Sequence, residues 1–469
     1  MRILIFIPPT VLGFTSGFWY PLIPAWSDTL HIGAAPLNWL SSISYLALVV
    51  TVPIFSALGD RYGHRRLLTL TSWLSAAGIA ILAVAPSFAV AAIGMAFWGA
   101  QGAWLACLIG LVRDKETGAR ANRTIALQAT GITVGQLIGI LTSGASLSLL
   151  GNVRLTLAIP AALCVVCALI AMFLIPESTT RTTRPIDWIG AFGLAVGLVS
   201  LLLGVMNANS AGWTSTSTVT LAVFGLAVLA AWVKWERHTP TPLINLRVLT
   251  SRAMWPAMMA AMMFGVILFV PRTPLLTFLA AKPDSVGYGF GFAATAISVV
   301  LICYYLIDTL GSSLYALLAS KIGPRVAIVA GISWGTVGLA SVAVLAHAGS
   351  AAWAITLAFM AIGLGVGILG GSMPAYISAA APSDQVAIIS GTYSTVRGVG
   401  GTIGTAVAGA LLAASTPAGS TSPSVGGYSA VWFFCAAAAL VSLLLMLASW
   451  FRRRPPAAVQ PGVDGEGAL

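Results

Sequence analysis

Charged residues are scarce in this chain. Only 7% of its 469 residues are Asp, Glu, Lys or Arg, whereas 58% are hydrophobic; an average globular protein has about 25% charged residues. A soluble protein of this length could not bury so much apolar surface, so part of its solvent must be lipid. The formal net charge of +11 is spread over short gaps between apolar runs. It therefore indicates membrane orientation and not nucleic-acid binding.

Residues that commonly carry chemistry are also few. All five cysteines lie inside apolar runs. Cys164 and Cys167 are spaced like a redox motif but lack its strand–helix–strand context, so we interpret them as helix-packing residues. The four histidines are scattered in loops, and no nucleotide-binding loop, metal-ligand cluster or nucleophile elbow occurs. We therefore predict that the protein is not an enzyme and holds no cofactor and no metal.

The apolar runs are long enough to span a bilayer, which takes about 20 residues per helix. Fourteen spans are predicted. They cover residues 3–25, 37–58, 67–86, 88–112, 124–150, 153–175, 188–208, 219–235, 253–279, 290–319, 325–346, 351–375, 386–414 and 428–451.

Basic residues alternate with these spans. If the N-terminus is cytoplasmic, 19 of the 23 Lys and Arg residues fall in cytoplasmic segments, two in outer loops and two inside spans. This asymmetry predicts that both termini are cytoplasmic. The polar tail, residues 452–469, is predicted to be disordered.

Two segments of the chain are echoed later at nearly the same offset. Residues 58–65 correspond to 318–325, and the Gly135–Gly139 segment corresponds to Gly400–Gly404. These echoes predict two homologous six-helix bundles, an architecture found in many secondary transporters. The predicted domains are 1–180, an inserted helix pair at 181–250, and 251–451.

Several motifs occur in an order typical of one transporter family. The segment Ser56-x-Leu58-Gly59-Asp60-Arg61-Tyr62-Gly63-His64-Arg65-Arg66 resembles the cytoplasmic loop motif of the major facilitator superfamily, with Ser56 in place of the usual glycine. Further motifs resemble its fourteen-helix drug:proton antiporter branch: Asp187-Trp188-Ile189-Gly190, Gly212-Trp213, Trp235-Glu236-Arg237, Pro242-Leu243, and Ser390-Gly391 with Arg397-Gly398-x-Gly400-Gly401.

The resemblance implies an all-α integral membrane protein of the major facilitator fold. It implies a bacterial plasma-membrane exporter of amphiphilic small molecules, such as drugs or antibiotics, in exchange for protons, acting as a monomer. Gly13 and Trp98 stand where the family commonly has an Asp and an Arg tied to proton coupling. A uniporter or symporter for one metabolite on the same fold therefore stays open. A membrane enzyme or receptor-like helper is less favoured, because the spans lack a cluster of His, Asp or Glu.

Asp60 ends the second helix, with arginines close by. A carboxylate there can pair with arginine and face the positive end of a helix in the other bundle. The motif is thus predicted to act as a gating latch, and the alternative is a turn that only carries positive-inside charge. The latch residues are Ser56, Gly59, Asp60, Arg61, Gly63, Arg65 and Arg66.

Glycines four residues apart let helix backbones approach closely. The helix-interface set predicted to lie where the two bundles slide is Gly131, Gly135, Gly139, Gly400 and Gly404. Ordinary small-residue packing explains the same spacing equally well. Gln136 stands where the antiporter motif of the family usually has proline.

Charged residues inside spans are costly and mark candidate sites. Arg272 is predicted to snorkel to the outer interface. Asp308 lies near the midplane, with Tyr304 and Tyr305 on the same helical face. We predict that Asp308 carries the proton and that Arg397 is its ion-pair partner; the alternative is a purely structural pair.

Aromatic and amide residues at helical spacing are predicted to contact an amphiphilic substrate, for which a largely apolar wall with few polar groups is suited. Lipid-facing or packing aromatics are the alternative. The predicted substrate-binding residues are Phe14, Phe18, Trp19, Trp98, Gln101, Trp104, Tyr304 and Tyr305.

Overall fold

The computed structural model describes residues 2–30, 32–116, 118–177, 187–212, 214–240, 242, 246, 254–380, 386–417, 420 and 422–452. Within these ranges the chain is helical and contains no strand. The helices are α1 (Arg2–Leu30), α2 (Ala34–Tyr62), α3 (His64–Val84), α4 (Phe88–Trp98), α5 (Ala103–Lys115), α6 (Gly118–Leu150), α7 (Val153–Phe173), α8 (Trp188–Ala211), α9 (Thr216–His238), α10 (Trp255–Phe269), α11 (Arg272–Ala280), α12 (Pro283–Val286), α13 (Ala294–Ile322), α14 (Pro324–His347), α15 (Ala352–Ala380), α16 (Val386–Ala414) and α17 (Val425–Arg452).

Thirteen of the fourteen predicted spans are confirmed. Thirteen helical segments in the described ranges are long and apolar enough to cross a membrane, and α1, at 29 residues, is a fourteenth helix of comparable length. Two of the spans are each built from two helices, α4 with α5 and α10 with α11. The predicted domain boundaries at 180/181 and 250/251 lie outside the described residues, as does almost all of the predicted tail.

Local signals in the sequence explain where the helices begin and end. Gly63 (φ 107°) joins α2 to α3, and Gly323 (φ 87°) joins α13 to α14. Both adopt a backbone conformation that favours glycine, and they stand at corresponding points of the internal repeat. The side chain of Asn152 caps α7 by accepting from the backbone N–H of Arg154 at 2.8 Å, as expected for an N-cap asparagine.

The repeat recurs in how the helices pack. In the first bundle α1 lies along α6, and in the second α10 lies along α16. A Cβ at Gly135 would overlap the carbonyl of Thr10, and a Cβ at Gly400 would overlap that of Met262. Because glycine has no side chain, the backbones of the paired helices touch at these two positions, which correspond in the two halves of the repeat.

The inserted pair, α8 and α9, lies beside the seam between the bundles. The two helices pack on one another, and α8 also contacts α2 and α16. A separate apolar cluster joins them: Trp39, Leu46, Val49, Leu194, Leu198, Leu202, Trp232, Leu246 and Ala406.

The two bundles meet near the membrane face that holds the loop between α1 and α2. Ser42 of α2 donates to Thr405 of α16 at 2.7 Å, and Ser41 lies 3.5 Å from Thr273 of α11. A Cβ at Gly144, near the end of α6, would meet Ser298 near the start of α13. These contacts close the cleft between the bundles at that face.

Candidate functional site

A buried arginine lies where the two bundles face each other. The ninth span breaks between α10 and α11, and Arg272 is the first residue after the break. Its side chain is buried, with 6% of the residue exposed. The prediction that Arg272 snorkels to the outer interface was therefore wrong. The helix packs this residue against the opposite bundle instead of carrying it to the lipid headgroups.

Three tyrosine rings surround this guanidinium. Its carbon lies 5.1 Å from the ring centre of Tyr305, 5.3 Å from that of Tyr304 and 5.8 Å from that of Tyr20. Such cation–π contacts stabilise a charge that has left water. Tyr20 belongs to α1 of the first bundle, and the other two belong to α13 of the second. We call Arg272, Tyr20, Tyr304 and Tyr305 the arginine cage.

The first bundle adds a further aromatic residue beside the arginine cage. The hydroxyl of Tyr45 on α2 lies 3.4 Å from that of Tyr20. The Tyr45 ring lies 4.4 Å from the ring of Phe269, at the end of α10. The break in the ninth span is therefore bordered by tyrosines from α1, α2 and α13. Sequence analysis missed Tyr20 and Tyr45, because nothing local in α1 or α2 indicates that they meet a break in another helix.

Asp308 lies fourteen residues from either end of α13, which covers 294–322. Its side chain is only partly exposed, and it follows Tyr304 and Tyr305 of the arginine cage by about one helical turn. The backbone at Asp308 lies against Gly367 of α15, where a Cβ would overlap its carbonyl. The acid is therefore held at the middle of its span by a tight helix–helix contact.

The predicted pair of Asp308 with Arg397 is not formed in this structure. Among the described residues, no ion pair joins them. The Arg397 guanidinium lies 5.4 Å from the ring centre of Tyr393, on its own helix. The reason is helix placement: α13 packs mainly on α15 and α6, whereas α16 packs on α2 and α10. The arginine that contacts the helical face of Asp308 is Arg272, through the rings of Tyr304 and Tyr305.

The candidate residues of the first bundle are buried around a glutamine. Gln101 accepts from the Trp98 indole N–H and donates to Thr15, and it also donates to the Leu12 carbonyl at 3.2 Å. Trp98 lies edge-on to Trp19 at 5.7 Å. Gln101 therefore links α1 to the turn between α4 and α5.

The other candidates of this bundle also belong to its apolar core. Phe14 and Phe18 stack at 5.3 Å. Phe18 and Trp104 are fully buried. In this structure these residues contribute to packing between helices, and their contact with a substrate stays a prediction.

The cytoplasmic loop motif is organised by two residues that sequence analysis did not assign. Asp60 pairs with His64, with Oδ1 and Nε2 3.2 Å apart. Glu177, four residues beyond the end of α7, accepts from the backbone N–H of Arg65 at 3.0 Å. Its other oxygen lies 3.5 Å from Nε of Arg65 and 3.7 Å from Nε of Arg66.

The predicted interface glycines contact helices of their own bundle. A Cβ at Gly139 would overlap the Phe14 carbonyl of α1, and one at Gly404 would meet Val266 and Val270 of α10. Gly131, similarly, faces Phe6 and Thr10. The interpretation that they lie between the sliding bundles was wrong, because these glycines lie where α1 packs on α6 and where α10 packs on α16.

These features define a multi-pass membrane transporter fold with a buried charge cluster between its halves. The Major Facilitator Superfamily model matches residues 10–405 and, in a second match, 276–467. The chain therefore belongs to the major facilitator superfamily.

Similar proteins include two bacterial exporters. The chain is 25% identical to the multidrug efflux pump LfrA of Mycolicibacterium smegmatis, over 92% of this chain and 85% of that protein. It is also 25% identical to the tetracenomycin C resistance and export protein of Streptomyces glaucescens, over 83% and 71%.

Solved structures of other transporters share the fold. The peptide transporter POT in complex with sulfate superposes with a TM-score of 0.68, at 17% identity, over 96% of this chain and 94% of that one. The nucleoside transporter NupG gives 0.68 at 13% identity, over 97% and 99%. These likenesses show the fold. Membership of the major facilitator superfamily, with the similarity to the exporters, makes the protein a membrane transporter for small molecules.

Proposed function

We propose that this protein exports amphiphilic small molecules across the bacterial plasma membrane in exchange for protons. Similarity to a multidrug efflux pump and to an antibiotic resistance and export protein over most of the chain supports export. The charges at the centre of the fold support proton exchange. In the proposed orientation both termini are cytoplasmic, and the chain acts as a monomer.

One observation carries the proposal: Asp308, at the middle of its span, follows by about one helical turn two tyrosines whose rings lie against Arg272, and Arg272 also contacts Tyr20 of the other bundle. Asp308 is on the second bundle, and one wall of the arginine cage, Tyr20, is on the first. Movement of one bundle relative to the other therefore changes the surroundings of Arg272. Because Arg272 contacts the helical face of Asp308, the same movement changes how strongly Asp308 holds a proton.

The proposed cycle has two states. In the state described above, the bundles are closed at the face of the α1–α2 loop, which is the outer face in the proposed orientation. Asp308 is then ionised near Arg272, and its proton has left to the cytoplasm. When the bundles rock, Tyr20 leaves the arginine cage and water from outside reaches the cluster. Asp308 takes up a proton there. When the bundles return to the first state, one proton has been exchanged for one substrate.

The cytoplasmic loop motif serves as the latch of this cycle. Asp60 is half exposed at the end of α2, where it can reach the start of a helix in the other bundle when the cytoplasmic side closes. Glu177 holds the beginning of α3 in place through Arg65. The arginines of the motif thereby keep a fixed position relative to Asp60 while the bundles move.

The test uses purified protein in sealed liposomes with a fluorescent amphiphile as substrate. An imposed pH gradient, acidic on the side that corresponds to the cell exterior, should drive the dye toward that side against its concentration gradient. Collapsing the pH gradient with a protonophore should stop this accumulation. Equilibration of the dye without any response to the pH gradient would identify a uniporter and contradict proton exchange.

A further inference from the structure

The arginine cage contains hydrogen-bond donors that have nothing to donate to. Nε of Arg272 and the hydroxyl of Tyr305 are both buried, and neither has a hydrogen-bond partner among the described residues. Arg272 is 6% exposed and Tyr305 is 3% exposed. Buried donors without acceptors are costly, and in a transporter their persistence at the seam of the bundles indicates a ligand that supplies acceptors.

The positive charge of the arginine cage also bears on which charge its ligand can carry. Arg272 is the one charged member of the arginine cage, whose other members are tyrosines. No carboxylate lies within ion-pair distance of Arg272 among the described residues. A ligand with a positive charge would meet the guanidinium without a compensating acid at contact distance.

The walls of the cage are aromatic. Tyr304 stacks on Phe359 of α15 at 4.4 Å and stands edge-on to Tyr305 at 5.4 Å. Tyr45 and Phe269 extend this aromatic surface on the other side of the break. Flat rings favour stacking with a flat ligand, so the site combines aromatic faces with buried donors.

We infer that the arginine cage is a substrate subsite for aromatic compounds that carry acceptor oxygens and no positive charge. A carbonyl or phenolic oxygen of such a compound accepts from Arg272 and Tyr305, while its rings stack on the tyrosines. This inference rests on the proposed transport function and specifies its substrate class. It excludes permanent cations as preferred substrates.

The experiment compares three probes with the same three fused rings. A dihydroxyanthraquinone in its uncharged form carries acceptor oxygens, anthracene carries none, and acriflavine is a cation. Binding to the purified full-length protein in detergent is followed by quenching of tryptophan emission, with protein-free micelles as the blank. We expect the anthraquinone to bind about tenfold or more tightly than either other probe, since a hydrogen bond to a charged group has that effect.

Two variants locate the interaction. Tyr305→Phe removes only the unpartnered hydroxyl and keeps the ring, so it should fold as the wild type does. Arg272→Met removes the guanidinium. Each should weaken anthraquinone binding by about tenfold and leave anthracene binding unchanged. Tyr62→Phe, at an exposed position far from the cage, is the matched control and should change nothing.

Two results would overturn the inference: acriflavine binding as tightly as the anthraquinone, or unchanged anthraquinone binding in Tyr305→Phe. Because binding in detergent needs no transport, the two proposals fail separately. Protein that binds the anthraquinone through Arg272 but moves no probe across liposomes would contradict the proposed function alone. Protein that transports acriflavine in exchange for protons would contradict the substrate class alone.

Discussion

The contact between α1 and α6 offers a sharp test of how the bundles are assembled. Gly135 lies against backbone on its partner helix, so that a Cβ there would be 2.7 Å from the Thr10 carbonyl carbon and 2.9 Å from the Phe14 nitrogen. Ordinary van der Waals contact begins near 3.4 Å. In Gly135→Ala the helices must separate by at least several tenths of an ångström along their contact. Such overpacking costs about 1–3 kcal/mol.

A glycine with open space provides the control. Gly370 on α15 is exposed, and a Cβ there would meet nothing within 4 Å. Gly370→Ala gains the same helix propensity as Gly135→Ala, about 1 kcal/mol, without the overlap. The difference in stability between the two variants therefore isolates the overlap and should be about 1–3 kcal/mol.

The assay is thermal unfolding of the purified variants in one detergent. Gly135→Ala should unfold several degrees below Gly370→Ala, and Gly400→Ala should behave like Gly135→Ala because the repeat places it against Met262 in the same way. Equal unfolding temperatures for Gly135→Ala and Gly370→Ala would refute the close backbone contact.

Three further predictions concern the cytoplasmic loop. Asp60→Asn should fold normally, because the half-exposed side chain keeps its shape and its amide oxygen can still accept from His64, yet it should lose most transport. Wild-type transport would reduce the motif to a topology signal. Glu177→Ala should unfold at a lower temperature than Glu177→Gln, because only alanine leaves the Arg65 N–H without an acceptor, a loss of about 1 kcal/mol. Equal unfolding temperatures would contradict this role. Arg66→Cys, in a cysteine-free background, should resist an impermeant thiol reagent in intact cells, and labelling from outside would reverse the proposed orientation.

Much of the fold was predictable because lipid leaves few alternatives. Apolar length alone places spans such as 386–414, where α16 begins and ends at the predicted residues. The two positive-φ glycines were visible in the repeated loop. A span made of two helices, such as α10 with α11, is one continuous apolar run in the sequence. Its break could not be predicted, because a proline inside a span does not by itself locate one.

The site was less predictable, because it depends on which helices are neighbours. Depth counted along an unbroken helix put Arg272 at the outer interface, while the fold turns it toward Tyr20 and Tyr304. Asp308 and Arg397 share a similar depth, but depth does not reveal that α13 and α16 pack on different partners. In this structure Arg272, and not Arg397, contacts the tyrosines on the helical face of Asp308, and the roles of Asp308 and Arg397 stay predictions.

The central claim is that Asp308 carries the exchanged proton, and Asp308→Asn tests it most directly. In liposomes with an imposed pH gradient, the variant should fail to accumulate the substrate against its gradient but still let it equilibrate downhill, because the substrate path is intact and the titrating group is gone. Asp284→Asn, at an exposed acid outside the spans, should accumulate substrate like the wild type. Accumulation by Asp308→Asn at the wild-type level, driven by the same pH gradient, would contradict the account.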